Sequence, residues 1–293
     1  MEELFRVSAP SKTPKSGVLI TGGSGFLGRA LVEKLLADGC TRICIYSRNE
    51  FAQAKMREDL DDDERLRWFI GDVRDQPRLE RAMSSVYSVI HAAALKRIEV
   101  GAYNPEEMIK TNVLGTMNVV EAARKAEVGK VLLVSSDKAF EPVSPYGQSK
   151  ALAESLVLNA HDPQFGPRFG VVRYGNVAGS TGSIIPTWRA RIAAGKKVAI
   201  TNPGCTRFWM TRAEAAALVV DTLVEMKGGD LKVPRLPAFS IGDLWEAFER
   251  PDCDIVGLQG HEKEHESMDV EKYSATAKRL SVDELRERLK TLP

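Results

Sequence analysis

Apolar runs and helical stretches alternate along the chain from residue 17 to about residue 175. The runs are short and rich in Val, Ile and Leu, which is typical of strands buried on both faces of a sheet. Helical patterns follow at 26–39, 111–126 and 144–160. The predicted strands are 17–21, 42–47, 68–72, 88–94, 130–136 and 169–176. This alternation predicts the α/β class, a doubly wound parallel sheet with right-handed crossovers.

The regular alternation ends near Asn176, and mixed elements rich in Gly and Pro follow. This change predicts a smaller lobe that closes over the carboxyl ends of the strands, where open α/β sheets bind ligands. The last amphipathic stretch, SVDELRERLK, is expected to pack on this lobe or on a neighbouring subunit. We therefore predict a flexible tail at 1–15, a doubly wound domain at 16–174 and 211–234, and a substrate-binding lobe at 175–210 and 235–293.

Composition narrows the class of protein. The formal net charge of +1 leaves no basic excess for binding nucleic acid or an anionic membrane. No apolar run reaches the ~18 residues of a membrane span, and MEELFRVSAPSKTPKSG at the N-terminus lacks the apolar core of a signal peptide. The cysteines form no disulfide framework, and Cys40 and Cys44 are expected to be buried thiols. We therefore expect a cytoplasmic protein.

The first predicted strand leads into TGGSGFLG, which places Gly22, Gly25 and Gly28 in the pattern G-x-x-G-x-x-G. Between a strand and a helix, such glycines allow a tight turn and bring the backbone close to a pyrophosphate at the helix N-terminus. The motif, with Phe26 and Leu27 at the start of the helix, predicts a dinucleotide site. The alternative is a glycine-rich turn without a ligand.

The end of the second strand indicates which dinucleotide binds. An NAD site usually has a carboxylate there for the ribose hydroxyls, whereas this chain has Ser47 and Arg48. A guanidinium can form two hydrogen bonds with a 2′-phosphate. Since Glu50 is displaced along the loop, we predict NADP, with a solvated loop charge as the alternative for Arg48.

Residues that can transfer protons cluster in SSDKAFEPVSPYGQSK. Ser136, Asp137 and Lys138 end the fifth predicted strand and follow it, at the carboxyl end of the sheet. Tyr146 and Lys150 are four residues apart and share one face of the next helix. Because an ammonium beside a phenol lowers the phenol pKa, we expect Tyr146 to remove a proton from a sugar hydroxyl while a hydride passes to the cofactor.

These motifs, with YSRNE, FIGDVRD, HAAALK, KTNVLGT, VVRYGNVAGS and TRFWMT, resemble the extended short-chain dehydrogenase/reductases. More narrowly, the chain is similar to the inverting UDP-N-acetylglucosamine 4,6-dehydratases of bacterial glycan synthesis, which make precursors of pseudaminic acid and related sugars. The resemblance covers roughly residues 17 to 266. It implies a Rossmann fold, an NADP cofactor, UDP-N-acetylglucosamine as the substrate, and a homo-oligomer.

The resemblance also implies a reaction. Enzymes of this class oxidise C4 of the hexose, remove the C5 proton, release the C6 hydroxyl as water and return the hydride to C6. By resemblance, Asp137 is the general acid and Lys138 is the C5 base. The base role requires a Lys138 pKa lowered towards ~7–8 by burial or by nearby positive charge. The alternative is that the two side chains form a surface ion pair.

Further positions match the resembled family residue by residue. The expected cofactor contacts are Asp72 and Val73 at the adenine, and Ala92, Ala93 and Ala94 along the ribose and phosphates. The expected substrate contacts are Lys96, Asn176, Arg207, Trp209 and Glu262. Lys96 is equally compatible with a solvated lysine, and Asn112 is expected to be structural.

The segment GLQGHEKEHE departs from the family pattern G-x-x-P-G-E-K-x-H-E, since Gly260 and His261 replace Pro and Gly. Thr181 replaces an arginine that is common in relatives. These changes cluster around the substrate, so the sequence determines the reaction class better than the sugar. HEKEH also matches the zinc motif H-E-x-x-H, but the charged surroundings argue against it, and we expect no metal.

Two other functions fit the sequence. One is a related epimerase or dehydratase that acts on another nucleotide sugar. The other is a non-catalytic NADP-binding regulator on the same fold. Because such regulators usually lose Tyr or Lys from Y-x-x-x-K, the presence of both Tyr146 and Lys150 favours an enzyme.

Overall fold

The structure, a computed structural model, describes residues 15–292 and is built around one seven-stranded parallel sheet. Its strands are β1 (Val18–Thr21), β2 (Ile43–Ser47), β3 (Leu66–Ile70), β4 (Ser88–His91), β5 (Lys130–Val134), β6 (Arg168–Val172) and β9 (Asp230–Lys232). They pair in parallel in the order β3-β2-β1-β4-β5-β6-β9. The predicted fold class is confirmed. The seventh strand was not predicted, because its sequence, DLK, contains no apolar run.

Helices cover both faces of this sheet. On one face, α1 (Phe26–Ala37) packs against α9 (Arg212–Glu225). On the other, α6 (Gly115–Lys125) packs against α3 (Gln76–Met83) and α7 (Pro145–Asn159). Successive side chains of a strand point to opposite faces. Val18 and Ile20 therefore belong to the apolar core beneath α1 and α9, and Leu19 belongs to the core beneath α3, α6 and α7. The remaining helices of this part are α2 (Glu50–Asp59), α4 (Ile98–Tyr103) and α5 (Pro105–Met108).

The predicted helix at 111–126 begins differently from the expectation. Residues Ile109–Leu114 form a π-helical turn that continues into α6. In this turn the Asn112 amide accepts a hydrogen bond from Leu95 N at 2.8 Å and donates to Leu95 O at 2.9 Å. It also donates to Ser149 Oγ at 2.9 Å. The wider turn thus lets Asn112 join the loop after β4 to α7, which a 3.6-residue pattern cannot reveal.

A smaller lobe has its own apolar core around Trp188 and Trp209. Leu285 and Leu289 of the last helix are buried in this core. Two positions were predicted for that helix, on the lobe or on a neighbouring subunit, and the structure shows it packed on the lobe. That the lobe binds substrate stays a prediction. Its elements are β7 (Val198–Ile200), α8 (Ile184–Ala193), β8 (Thr206–Phe208), β10 (Ala238–Ser240), α10 (Ile241–Ala247), β11 (Cys253–Ile255) and α11 (Val282–Lys290).

The last two strands, β12 (Ser267–Asp269) and β13 (Lys272–Tyr273), form a two-stranded hairpin that precedes α11. Most of the predicted tail lies outside the described residues. Its last residue, Lys15, is buried, and its ammonium donates hydrogen bonds to the carbonyls of Ala126 and Glu127. Lys15 therefore packs against the folded part of the chain, and the predicted domain bounds stay predictions.

Two further expectations from the sequence concern membrane-spanning helices and the state of the cysteines. Within residues 15–292, no helix combines the length and the apolarity of a membrane span. The four cysteines are free thiols, and Cys40 and Cys44 are buried as expected. Burial raises the pKa of both of these thiols, so they remain protonated at neutral pH.

An interior ion pair joins α7, the end of β6 and the hairpin. Arg173 follows β6, and its Nε and Nη2 donate to the two carboxylate oxygens of Glu154 on α7. Its Nη1 donates to the carbonyl of Met268 at 2.6 Å. Both charged side chains are nearly excluded from solvent, at 10% and 6% exposure. Each charge is therefore tolerated only because the other compensates it.

We expect the substitution Arg173→Leu to lower the free energy of unfolding by about 3–5 kcal/mol, because it leaves the buried Glu154 carboxylate without a partner. Urea denaturation measures the change. The double variant Arg173→Leu/Glu154→Leu should recover much of the loss. As a control, Arg250→Leu breaks an exposed pair with Glu246 and should cost at most about 1 kcal/mol. Equal losses in Arg173→Leu and Arg250→Leu would contradict this account.

Candidate active site

Two adjoining cavities lie where the central strands end. The larger, here called the large cleft, has a volume of about 850 Å³ and runs along the carboxyl ends of the sheet. The smaller, the lobe cavity, has a volume of about 340 Å³ and is lined mainly by the smaller lobe. Lys138, Asn176, His261 and Glu262 line both. These side chains therefore mark the junction between the two cavities.

The glycine-rich turn between β1 and α1 forms one wall of the large cleft. Gly22 has φ +70°, and a Cβ atom on Gly28 would lie 2.4 Å from the Gly22 carbonyl oxygen. The turn therefore requires glycine at both positions. Gly25 precedes α1 and supplies no side chain to its first N–H groups, which leaves them free for phosphate oxygens.

All residues predicted to contact the cofactor line this cleft, so the volume and the glycine cradle fit a dinucleotide. They are Gly22, Gly25, Phe26, Leu27, Gly28, Ser47, Arg48, Asp72, Val73, Ala92, Ala93, Ala94, Tyr146 and Lys150. The alanines follow β4, which ends at His91 and not at residue 94 as predicted. Beyond the end of the strand, Ala93 N donates a hydrogen bond to a side-chain oxygen, Thr21 Oγ1, at 3.2 Å.

The end of β2 presents hydroxyl and guanidinium groups to the cleft. Ser47 Oγ accepts hydrogen bonds from Ser24 Oγ and Gln53 Nε2, both at 2.8 Å. Arg48 is about half exposed, and its Nη1 lies 3.6 Å from Asp72 Oδ2. The acidic residue closest in sequence, Glu50, begins α2. A phosphate on the ribose would meet this cluster with favourable charge.

The reactive loop places a lysine between two carboxylates. Asp137 begins a 3₁₀ turn, Asp137–Ala139, directly after β5. Lys138 Nζ lies 3.0 Å from Asp137 Oδ1 and 3.2 Å from Glu266 Oε1. The exposed fractions of the Asp137 and Glu266 side chains are 1% and 4%. Asp137 and Lys138 are therefore not the surface ion pair considered as the alternative. Ser136 Oγ donates to the same Asp137 oxygen at 2.9 Å.

Opposite charges in this cluster shift each pKa. Burial by itself lowers the Lys138 pKa, but Asp137 and Glu266 outweigh it and raise the pKa above its usual value. The lowered Lys138 pKa that the base role requires is therefore not present in this arrangement, so the neutral amine is the minor form at neutral pH. Burial raises the Asp137 pKa, against the opposing effect of Lys138. Burial also tends to raise the Glu266 pKa, but the Lys138 and Arg207 cations hold it below its usual value.

Tyr146 and Lys150 lie on the first turns of α7 and are both buried. Burial lowers the Lys150 pKa to about 8, and Lys150 Nζ donates to Val134 O at 2.7 Å. Burial raises the Tyr146 pKa, and a hydrogen bond with Ser136 opposes that rise. The lowered Tyr146 pKa expected from the sequence is therefore wrong here, because the Lys150 ammonium is directed at a backbone carbonyl and burial dominates.

The residues predicted to bind substrate divide between the cavities. Lys96 is solvent-exposed at the large cleft, whereas Asn176 and Glu262 line both cavities. The buried Asn176 Oδ1 has no hydrogen-bond partner among the described residues, so a ligand at the junction could satisfy it. Arg207 and Trp209 line the lobe cavity instead of the cleft.

Glu266 is a site residue that was not predicted from the sequence. Its match to the family segment was visible, but nothing local showed that it reaches Lys138. The neighbouring HEKEH segment is a turn ending in an isolated bridge at His265, and not the helix that H-E-x-x-H requires. His265 Nδ1 lies 2.9 Å from Thr206 Oγ1.

Comparisons with known proteins agree with this geometry. Residues 18–283 match the family described as polysaccharide biosynthesis protein. A relative named UDP-N-acetylglucosamine 4,6-dehydratase (inverting), from Campylobacter jejuni subsp. jejuni serotype O:2, is 40% identical over 87% of this chain and 77% of its own length. A relative named UDP-glucose 4-epimerase, from Rickettsia rickettsii, is 38% identical over 86% of this chain and 76% of its own length.

A solved structure titled Pen, from Bacillus thuringiensis, superposes with a TM-score of 0.89 at 30% identity. The match covers 94% of this chain and 97% of that one. Fold, family model and relatives thus agree, and the resemblance to extended short-chain dehydrogenase/reductases and to inverting UDP-N-acetylglucosamine 4,6-dehydratases is confirmed. The chain belongs to the polysaccharide biosynthesis protein family.

Proposed function

We propose that this protein is an NADP-dependent nucleotide-sugar 4,6-dehydratase that acts on UDP-N-acetylglucosamine and inverts C5. The observation that carries the proposal is the ion pair between the buried Asp137 and the half-buried Lys138, which lie in the same cleft as Tyr146 and Lys150, with Lys138 at the junction of the two cavities. The name of the Campylobacter jejuni relative supports the substrate. A homo-oligomeric state and a cytoplasmic location stay predictions.

Each reactive side chain has a role that its chemistry allows. Bound NADP would accept a hydride from C4 and later supply it to C6. Tyr146 in its phenolate form takes the proton of the C4 hydroxyl, and Lys150, one turn further along α7, holds the cofactor ribose. The neutral amine of Lys138 removes the C5 proton, which a C4 ketone acidifies. Asp137, whose pKa burial raises, gives its proton to the C6 hydroxyl that leaves as water. After the hydride has returned to C6, a solvent-derived proton adds to C5 from the opposite face, which inverts that carbon.

The two cavities suit the two molecules that take part in this reaction, the dinucleotide cofactor and the nucleotide sugar. The large cleft extends from the glycine turn to Tyr146, which suits a dinucleotide with its reactive end at the phenol. The lobe cavity lies beyond Lys138 and offers Arg207 for a diphosphate. In this arrangement the hexose occupies the junction, within reach of Asp137, Lys138 and Asn176.

The deciding experiment is incubation with UDP-N-acetylglucosamine in deuterated water, followed by mass spectrometry and proton NMR. We expect a product that has lost one water and carries deuterium at C5 and a 6-deoxy methyl group. Tyr146→Phe should form no product, because C4 oxidation cannot begin. Return of an unchanged sugar by an enzyme with bound NADP would exclude this substrate, and other nucleotide sugars would then be assayed.

A second candidate is 4-epimerisation, which the UDP-glucose 4-epimerase name of the Rickettsia rickettsii relative favours. An epimerase also oxidises C4, but it returns the hydride to C4 and releases no water. The same incubation distinguishes the two activities, because an epimerised product keeps its mass and its C5 proton.

The substitution Lys138→Ala should abolish C5 deuterium exchange while it leaves NADP bound, because the amine that accepts the proton is lost and the glycine turn is untouched. Exchange is followed by proton NMR, and NADPH fluorescence reports binding. Undiminished exchange in this variant would remove Lys138 from the base role.

The substitution Arg48→Ala should weaken NADPH binding by about tenfold or more, the effect of losing one charge-assisted contact worth roughly 1.5–3 kcal/mol, and should leave NADH binding nearly unchanged. Fluorescence titration measures both. Arg81→Ala, an exposed arginine on α3, is the control. Equal weakening for NADPH and NADH would contradict the assignment of the 2′-phosphate to Arg48.

A further inference from the structure

Glu266 is a buried carboxylate that joins the lobe to the reactive loop. The residue is 3% exposed, and its Oε1 lies 3.2 Å from Lys138 Nζ and 3.8 Å from Arg207 Nε. Its Oε2 is buried and has no hydrogen-bond partner in the described part of the chain. Desolvating a carboxylate is costly, so an incompletely satisfied one at the wall of the lobe cavity points to a role beyond packing.

The backbone around Glu266 is fixed. Glu266 N donates to Ser274 Oγ, and Ser274 N donates to Glu266 O, both at 2.8 Å. Ser274 is fully buried, and its hydroxyl lies 2.6 Å from Thr206 Oγ1 of β8. The Glu266 carboxylate therefore extends from a rigid support and not from a loose loop.

The same segment contacts the reactive loop on both sides of Glu266. Lys263 Nζ donates to the carbonyl of Phe140 at 2.6 Å, and Ser267 Oγ lies 3.4 Å from a carboxylate oxygen of Glu141. With the ion pair to Lys138, three contacts fasten the segment to the loop. This geometry fixes the distance between Glu266 and Lys138.

We propose that Glu266 is a positioning residue for the proton transfers at C5 and C6: its carboxylate holds the Lys138 side chain beside Asp137 at the junction of the cavities and determines when Lys138 can accept a proton. The inference rests on the proposed dehydratase function. The C5 proton passes to the Lys138 amine, and the Asp137 proton leaves with the C6 hydroxyl as water. Glu266 stays ionised and neither gains nor loses a proton.

Several charged or titratable groups face the Lys138 ammonium. Asp137 lies on the same turn, Tyr146 faces it from α7, and Glu266 and Arg207 face it from the lobe. Lys263 adds positive charge near Glu266. Loss of the Glu266 charge would leave Asp137 as the one carboxylate among these groups. An opposite charge at such a distance shifts a pKa by about one to three units.

The test compares C5 deuterium exchange in wild type, Glu266→Gln and Glu266→Asp across pH. Exchange needs the neutral Lys138 amine, so its rate rises as pH passes the Lys138 pKa. Glu266→Gln removes a negative charge and lowers that pKa, which should move the rising limb to lower pH by about one to three units. Its kcat for dehydration should fall because Lys138 is no longer held, while NADP binding stays unchanged. Glu266→Asp keeps the charge and should keep the wild-type limb.

Glu264→Gln is the matched control, since this exposed side chain lies on the same segment and contacts Asn202 at 3.5 Å. It should show the wild-type rate and pH dependence. The inference would be overturned if the exchange rate of Glu266→Gln rose at the same pH as that of wild type, or if that of Glu266→Asp rose at the same pH as that of Glu266→Gln. Glu266 would then be a purely structural residue.

A second measurement does not depend on turnover. NMR titration of protein labelled with ¹³Cε-lysine, with the Lys138 signal assigned through Lys138→Arg, reports the Lys138 pKa directly. We expect a lower pKa in Glu266→Gln than in wild type, and an unchanged pKa would overturn the inference. Failure of wild type to convert any nucleotide sugar would instead overturn the proposed function, whatever the titration shows.

Discussion

The contact of Lys138 with two buried carboxylates is the interaction on which the rest of the site depends. Asp137 comes from the turn after β5, and Glu266 comes from a segment far along the chain. Burying charges is costly unless they compensate one another closely, so the loop and the lobe must meet in one arrangement for the cluster to be tolerated. The junction between the two cavities follows from that arrangement.

The cluster also separates the roles of its members. Two carboxylates near one ammonium rarely share the same pKa. Here burial raises the pKa of Asp137, whereas the Lys138 and Arg207 cations outweigh burial at Glu266 and hold its pKa below the usual value. An acid and a fixed negative charge thus arise from chemically similar side chains. Lys138 lies between them, and the balance of their charges controls its availability as a base.

Dehydration and epimerisation share their first step, and relatives of both names match this chain to a similar extent. Oxidation of C4 needs a phenol, a lysine and a dinucleotide, and the large cleft provides a place for all three. Loss of water needs further groups that reach C5 and C6. The buried Asp137 and the half-buried Lys138 in the large cleft are candidates for that step, and this favours the dehydratase proposal.

The strands and the tight glycine turn could be predicted because they depend on local patterns. Short apolar runs predict strands, and glycines at fixed spacing predict a phosphate turn, because backbone conformation and close approach are decided within a few residues. The tightness of the turn at Gly22 and Gly28 agrees with that reasoning. The π-helical turn at Asn112 was missed because its cause is a loop and a helix that are remote in sequence.

The sequence by itself determined the fold class, the family and the identity of the candidate reactive residues. Only the tertiary structure decided their ionisation. A pKa depends on burial and on every charge within a few ångströms, and those charges come from elements that sequence spacing does not relate. This is why the lowered pKa expected for Tyr146 was wrong and why the Lys138 pKa is raised instead of lowered as its base role requires. It is also why Glu266 became visible as a partner of Lys138 only when the chain was folded.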